Sequence, residues 1–531
     1  MVYKDIKCNQ IIDTTIGMKI VITLLITLFT LSSCVKEPEY SGDQMESRSL
    51  RAWIKKNRPD LLGNHQSKGD YYVDVLAWGD NSTPASGNDF GSEAIMDQDT
   101  CWVYYNYNCY DLDGNLCATR NEIMARMQAT FSDRTHYAPY GNFCGENYFY
   151  YIVEGSYLAT RNTIKLSEEY VANNSSICPS TELKVRKGTK VRLYMPSTIG
   201  FGSSGSSAEG GYEGQYALDT NVPVIMDIEV LRVVKNPSDL ELEMVNEIVK
   251  KSNENSEEIV WNKVENTEGK DIDSDTETDP DADTDISKDE NKEPEYLEGI
   301  YYSNNFKPKA DFPHLSHARP DMAGLGNPYK DSKRFADMAE FDKKLWKILD
   351  EKFADMIAKT PEADAKEVGE DNGAVMWYVG RFLDGFIFDT NITEVKELAF
   401  DETDAGSSLT YSVSSNKDEY ISAWAHCIPK LKYGRWGAII TTSGYAYGSS
   451  GISGSTSTSS SGAVYNTFAN LYNYYSMMGS AYYNPYSYYN YYNYYGGYNN
   501  YYDYEETTST IDTEIMPYTP LVFYVFIEPT E

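Results

Sequence analysis

Positive charge is scarce in this chain of 531 residues: 46 Lys and Arg stand against 80 Asp and Glu, a formal net charge of −34. A nucleic-acid partner needs basic patches to meet its phosphates, so that class is set aside. The acidic balance reads as a solubility device. Histidine is rarer still, with five in all. His314 and His317 sit three apart beside Pro313, with neither a helix nor a third ligand in view, and read as loop residues rather than a metal site. CxxC, HExxH and Walker motifs are absent, which removes the commonest dithiol, zinc-hydrolase and P-loop readings. Cysteine is sparse outside one segment. Cys101, Cys109, Cys117, Cys144 and Cys178 cluster there, Cys427 stands alone, and Cys8 and Cys34 lie at the start. Outside the cytoplasm a disulfide is plausible, but spacing does not fix its pairing.

A membrane-spanning run is missing from the N-terminus as well. From Met18 the chain reads "MKIVITLLITLFTLSSC", with an apolar stretch from Ile20 to Leu31 too short to cross a bilayer core roughly 30 Å thick. The pattern fits a secretory signal, which makes Met1–Gly17 upstream residues. Its end resembles a bacterial lipobox, in which Cys34 would be lipidated and become the mature N-terminus, anchoring the chain to a membrane. The "VKEPEY" that follows resembles the export signal of Bacteroidetes surface lipoproteins. An outer-membrane lipoprotein facing the periplasm or the cell exterior is the expectation.

A chain of this length exceeds one hydrophobic core, so two or three domains are expected. Residues 35–67 are polar and read as a tether. From "DYYVDVLAWG" to "VIMDIEVLRVV" the chain shows short β segments broken by glycine, a first domain over 68–236. Residues 237–295 read as a helix followed by an acidic linker. Leu240, Met244, Val245, Ile248 and Val249 form the helix's apolar stripe, and Ser238 with Glu241 fits a capping box. "DIDSDTETDPDADTDISKDE" (271–290) has almost nothing to bury and repels itself. It lacks the turn glycine and final Glu of a calcium loop. A second domain covers 296–531, with an added amphipathic helix at 340–359 whose apolar side holds Phe341, Leu345, Ile348, Leu349, Phe353 and Met356.

The two domains end alike. "LKVRKGTKVRLYMPSTIGFGSSG" with "VPVIMDIEVLRV" in the first parallels "LKYGRWGAIITTSGYAYGSSG" with "IMPYTPLVFYVFIEP" in the second, as a duplicated domain would. "YVGRFLDGFIFDTN", "YISAWAHCIPKLKYG", "SGYAYG" and "PLVFYV" resemble the blocks of the FKBP-type peptidyl-prolyl isomerase family. The resemblance covers roughly residues 365–531 apart from one insertion. It implies an α+β fold: two FKBP-like domains, each a curved antiparallel sheet wrapped over a short helix. It also places Tyr378, Phe388, Asp389, Ile421, Trp424, Tyr447 and Phe523 on the family's pocket positions, with Tyr411 where the family has a pocket phenylalanine. The first copy keeps Tyr107 and Gly114, but has Cys117 and Ala118 for the Phe-Asp pair, Phe201 for the loop tyrosine and Met226 for the closing aromatic. Cys178 falls near the expected tryptophan. Such a pocket should catalyse poorly.

The implied activity is prolyl cis–trans isomerisation of polypeptide clients, with no cofactor. Trp424, Phe388, Tyr378 and Phe523 would form a dry slot for the proline ring. The Ile421 N–H and the Tyr447 hydroxyl would hold flanking carbonyls. Asp389 would orient the substrate or polarise the imide, or else would serve as a structural hydrogen-bond partner for neighbouring tyrosines. The run "YYNPYSYYNYYNYYGGYNNYYDY" (482–504) falls in an enlarged loop, 452–512, beside this pocket. Its Tyr/Ser/Gly/Asn chemistry suits an adaptable contact with a glycan or a protein. The alternative to an isomerase is therefore a non-catalytic surface protein that grips its partner through this loop.

Overall fold

The computed structural model describes residues 42–96, 99–127, 131–145, 148, 150, 152–202, 218–254, 259–266, 295–308, 338–370, 372–412, 420–452 and 513–529. Cys34, the acidic run, His314, His317 and the tyrosine-rich run lie outside these residues.

Two seven-stranded antiparallel sheets dominate the molecule. The first contains β1 (His65–Gln66), β2 (Tyr71–Trp78), β3 (Cys101–Tyr110), β4 (Leu116–Thr119), β5 (Tyr140–Cys144), β8 (Thr189–Met195) and β9 (Val224–Val234). Its order is β1-β2-β8-β9-β3-β4, with β5 also pairing β3. A small hairpin of β6 (Ile164–Lys165) and β7 (Glu182–Leu183) lies between β5 and β8. The second sheet repeats the plan with β10 (Asn262–Glu265), β11 (Tyr296–Ser303), β12 (Gly373–Phe382), β13 (Ile387–Thr390), β14 (Leu409–Ser412), β15 (Arg435–Thr441) and β16 (Leu521–Ile527), in the order β10-β11-β15-β16-β12-β13 with β14 on β12. Register makes the two copies superimposable by sequence: Met195 pairs Val224 as Thr441 pairs Leu521.

The repeat includes more than the sheets. Helix α1 (Gly42–Asn57) precedes the first, and Leu50 and Ile54 on it are fully buried. Residues 42–66 are thus folded against the first core, which corrects their reading as part of a polar tether. The remaining helices of that unit are α2 (Glu122–Met127), α3 (Glu154–Arg161) and α4 (Glu168–Asn173). Helix α5 (Pro237–Glu254) is the counterpart of α1: its stripe of Leu240, Met244, Val245, Ile248 and Val249 joins the core of the second sheet. It is therefore part of the second unit rather than a connector. Nor does the capping box form. Asn236 caps α5 by accepting the Ser238 N–H at 3.0 Å, with Pro237 at the first helical position. The Glu241 carboxylate instead accepts the N–H and hydroxyl of Ser443, each at 2.7 Å. In the first unit Glu46 of α1 grips Ser197 in the same way, at 2.5 and 2.6 Å. The acidic run also changes place. β10 and β11 are hydrogen-bonded neighbours, Glu265 opposite Tyr296. Residues 267–294 therefore close a hairpin of the second sheet rather than joining two domains.

The second sheet is covered on both faces. Side chains alternate along a strand, yet all seven residues of β16 are buried. Helix α6 (Met338–Lys359) covers one face, where Trp346 meets Tyr524 edge-on at 5.1 Å and Phe353 lies 4.5 Å from Phe526. Helix α8 (Ser422–Cys427) covers the other through Trp424, 5.7 Å from Phe523, and α7 (Thr393–Phe400) follows β13. Strand β9 of the first unit alternates between buried and half-buried residues from Met226 to Leu231. Its outward Asp227 and Glu229 pair with Arg192 and Lys190 at 2.6 and 2.9 Å.

The units meet along β5 and the loop before it. His136 pairs with Asp384 at 2.6 Å and stacks on Phe382 at 4.3 Å. Arg134 pairs with Glu402, Arg120 with Glu514, and Trp102 packs edge-on against Tyr518 at 5.2 Å.

Candidate functional site

The site assembles from four strands, β12, β13, β14 and β16, and one short helix. β12 and β13 form a hairpin in which Gly380 lies opposite Asp389. Tyr378 and Asp389 project from the same side, and the Tyr378 hydroxyl donates to Asp389 at 2.6 Å. Ile421 precedes the first turn of α8 and Trp424 sits inside it. Trp424 is then met edge-on by Tyr378 at 5.4 Å, Tyr411 at 6.1 Å and Phe523 at 5.7 Å. Phe388 meets Phe523 edge-on at 5.6 Å. Offset and edge-on contacts of this kind are the favoured arrangements for aromatic rings. Tyr447 follows the tight turn Ser443–Tyr445, and its backbone carbonyl accepts the Gly451 N–H at 3.1 Å. Seven of the eight residues named from the sequence belong to, or pack against, one core, and the eighth, Asp389, is tied to it through the Tyr378 hydroxyl.

Three polar groups here are poised rather than paired. Among the described residues, the indole N–H of Trp424 and the hydroxyl of Tyr411 are buried without a hydrogen-bond partner. The Ile421 N–H makes no backbone hydrogen bond among the described residues. Buried polar groups are nearly always satisfied, so these mark a place where other polar atoms can be received. Burial pushes the Asp389 carboxyl up, against the hydrogen bonds from Tyr378 and the Thr390 N–H, which favour ionisation. Burial, with the negative charge of Asp389, likewise pushes the Tyr447 hydroxyl far above its ordinary range. Tyr447 therefore stays protonated and able to donate. Tyr411 rises to about 12 for the same reason of burial.

The slot is narrow. Trp424 is 5% exposed and Phe388 1%. Tyr420, which the sequence motifs did not single out, stacks on Trp424 at 5.3 Å and 25° and covers part of its indole. The enlarged loop also leaves and returns here, because Ile452 and Ile515 exchange hydrogen bonds at 2.8 and 2.9 Å. Just beyond, Glu514 bonds Arg120 and the Tyr140 hydroxyl of the first unit.

The corresponding place in the first unit carries different chemistry. Register puts Tyr107 at the Tyr378 position, Cys117 and Ala118 at Phe388 and Asp389, and Met226 at Phe523. Asn142 falls at Tyr411. Helix α3 takes the place of α8, so Ser156, and not Cys178, stands where Trp424 does. Tyr105, Asn142, Ser156 and Thr160 fill the space with a buried polar network at 3.2–3.3 Å. Ser156 offers no ring to serve as the floor that Trp424 forms in the second unit.

No protein-family model matches this chain, and no curated protein matches it. Among solved structures it is similar to the three FKBP domains of wheat FKBP73, at 10% identity over 87% of this chain and 95% of that one, with a TM-score of 0.19. A peptidyl-prolyl cis-trans isomerase from Pseudomonas syringae pv. tomato matches at 14% identity over 37% of this chain and 98% of its own, TM-score 0.19. FkpA from Escherichia coli matches at 14% identity over 44% and 99%, TM-score 0.18. The strand order and helix placement above, rather than these scores, carry the description of the fold.

Proposed function

We propose that the second unit is a prolyl cis–trans isomerase acting on polypeptide clients, that the first is an auxiliary domain, and that the chain is held in the bacterial envelope by lipid on Cys34. The observation that carries the reading is the ring of Tyr378, Phe388, Tyr411 and Phe523 around Trp424, with its unpaired N–H and hydroxyl groups. Rotation about a prolyl bond faces an amide-resonance barrier of about 18–20 kcal/mol. Water stabilises the charge-separated planar form. A dry aromatic lining stabilises the twisted, less polar imide by comparison, which is preferential binding of the transition state. No nucleophile is required. The Ile421 N–H and the protonated Tyr447 hydroxyl are the donors for carbonyls flanking the proline. Asp389, tied to Tyr378, orients that wall.

The test is a protease-free isomerisation assay on the full mature chain. Trp424→Ala should abolish activity. Tyr447→Phe, which removes a donor and keeps the ring, should lower kcat/KM by about five- to tenfold, as loss of one hydrogen bond does. Equal rates in the wild type and both folded variants would sink the proposal.

The near-closure of the site by Tyr420 and the loop ends favours a second reading. In it the chain is a non-catalytic surface lipoprotein that binds a glycan or protein through the tyrosine-rich loop. An inactive wild type that becomes active on deletion of residues 455–510 would make that loop a lid. Inactivity in both would favour the binding protein.

A further inference from the structure

The six described cysteines are all buried thiols, and their places are not equivalent. Cys101 opens β3 and Cys144 closes β5, directly opposite each other in antiparallel register. Residues so placed have Cα atoms about 4.5 or 5.5 Å apart, and both values fall within the roughly 4.4–6.8 Å that a disulfide bridges. Both thiols lie in the first core, and the neighbouring Cys101 thiol together with burial holds Cys144 well above the usual thiol range. The other thiols are placed differently. Cys109 lies opposite Ala118, and a register shift beside it moves Cys117 out of line. Cys117 donates to the Asn115 carbonyl at 3.3 Å. Cys178 belongs to the first core and Cys427 to the second.

We infer that Cys101 and Cys144 are the site of a cross-strand disulfide that forms while the first unit folds. The chemistry is thiol–disulfide exchange with a small-molecule or protein disulfide as oxidant. One cysteine thiolate attacks the oxidant's sulfur and expels one thiolate. The second cysteine then attacks the mixed disulfide and expels the other. Two protein thiols are oxidised, one external disulfide is reduced, and two protons are released. Exchange proceeds through the thiolate, and both residues are 0% exposed once folded, so the bond must close before the strands are covered. It would staple the strand that meets the second unit: β5 carries Tyr140, which bonds Glu514, and β3 carries Trp102, which packs on Tyr518.

The bond does not depend on the isomerase reading, and its test needs no activity. The full mature chain is unfolded in reductant, refolded in a buffer of reduced and oxidised glutathione, denatured with an alkylating agent and mapped by peptide mass spectrometry without reduction. The expected result is a linked pair of peptides containing Cys101 and Cys144, with Cys109, Cys117, Cys178 and Cys427 alkylated. Reducing that product should lower its Tm by on the order of 5–10 °C. The Cys101→Ala, Cys144→Ala double variant should show no dependence on reductant. Alkylation of both Cys101 and Cys144 after refolding, or a link joining any other cysteines instead, would overturn the inference.

Discussion

Gly380 has no room for a side chain. A Cβ there would lie 2.6 Å from the ring of Phe388. Gly380→Ala must therefore push Phe388 out of its edge-on contact with Phe523, at about 1–3 kcal/mol of overpacking. The expected outcome is a lower urea midpoint together with a fall in isomerase kcat/KM. Unchanged stability would show that the ring yields freely. Residues such as Tyr378, Phe388 and Asp389 were legible in the sequence because a two-stranded hairpin fixes their spacing locally. Trp424 was legible for a similar reason, as part of a short helix with its own motif. Tyr420 was not, because nothing local says that it turns onto Trp424. The network of Asn142 and Ser156 was hidden too. Those residues come together only when α3 packs on β5, and a polar pair can replace an aromatic floor without leaving a spacing signal.

Helix α5 acts on the site through one side chain. Glu241 is 4% exposed, and burial raises its pKa from 4.5 to about 7, against the two hydrogen bonds from Ser443, which lower it. The folded state therefore binds this proton more tightly than the unfolded chain. The stabilising contribution is complete below pH 4.5 and is lost as pH climbs towards 7, a change on the order of 2–3 kcal/mol. Glu241→Gln should flatten that part of the curve, so the variant gains on the wild type between pH 5 and 7.5 in denaturant titrations. Parallel curves would assign the pKa elsewhere. Helix α6 bears on stability from the other face. Phe353 is fully buried among Trp436, Phe526 and Trp377. Phe353→Ala should cost about 3–5 kcal/mol by chemical denaturation, and a cost below 1 kcal/mol would mean that α6 is loosely docked. Both helices were visible as apolar stripes. A stripe says that a helix has a buried side and leaves its partner unnamed. That is why α5 read as a connector, and why Glu241 read as a cap for its own helix instead of for a serine 202 positions away.

At the scale of the molecule the duplication was legible from the matching ends of the two units, whereas their contact surface was not, since it joins loops of unlike sequence. His136 and Asp384 are 6% and 7% exposed, with Arg134–Glu402 and Arg120–Glu514 beside them. Removing one partner of a buried pair strands the other. Arg134→Ala with His136→Ala should therefore split a single calorimetric transition into two, one for each unit. A transition that stays single would place the coupling in Trp102 and Tyr518 instead. The hairpin of β10 and β11 has a further consequence. A protease cut anywhere in residues 267–294 severs the chain within one sheet, between two strands that remain hydrogen-bonded. The N-terminal fragment would keep α5 and β10 embedded in the second unit, through Val249, Trp261 and Val264 of its core. The nicked protein is thus a complemented pair, each fragment completing the other's fold. The two halves should co-elute on gel filtration and separate only in denaturant.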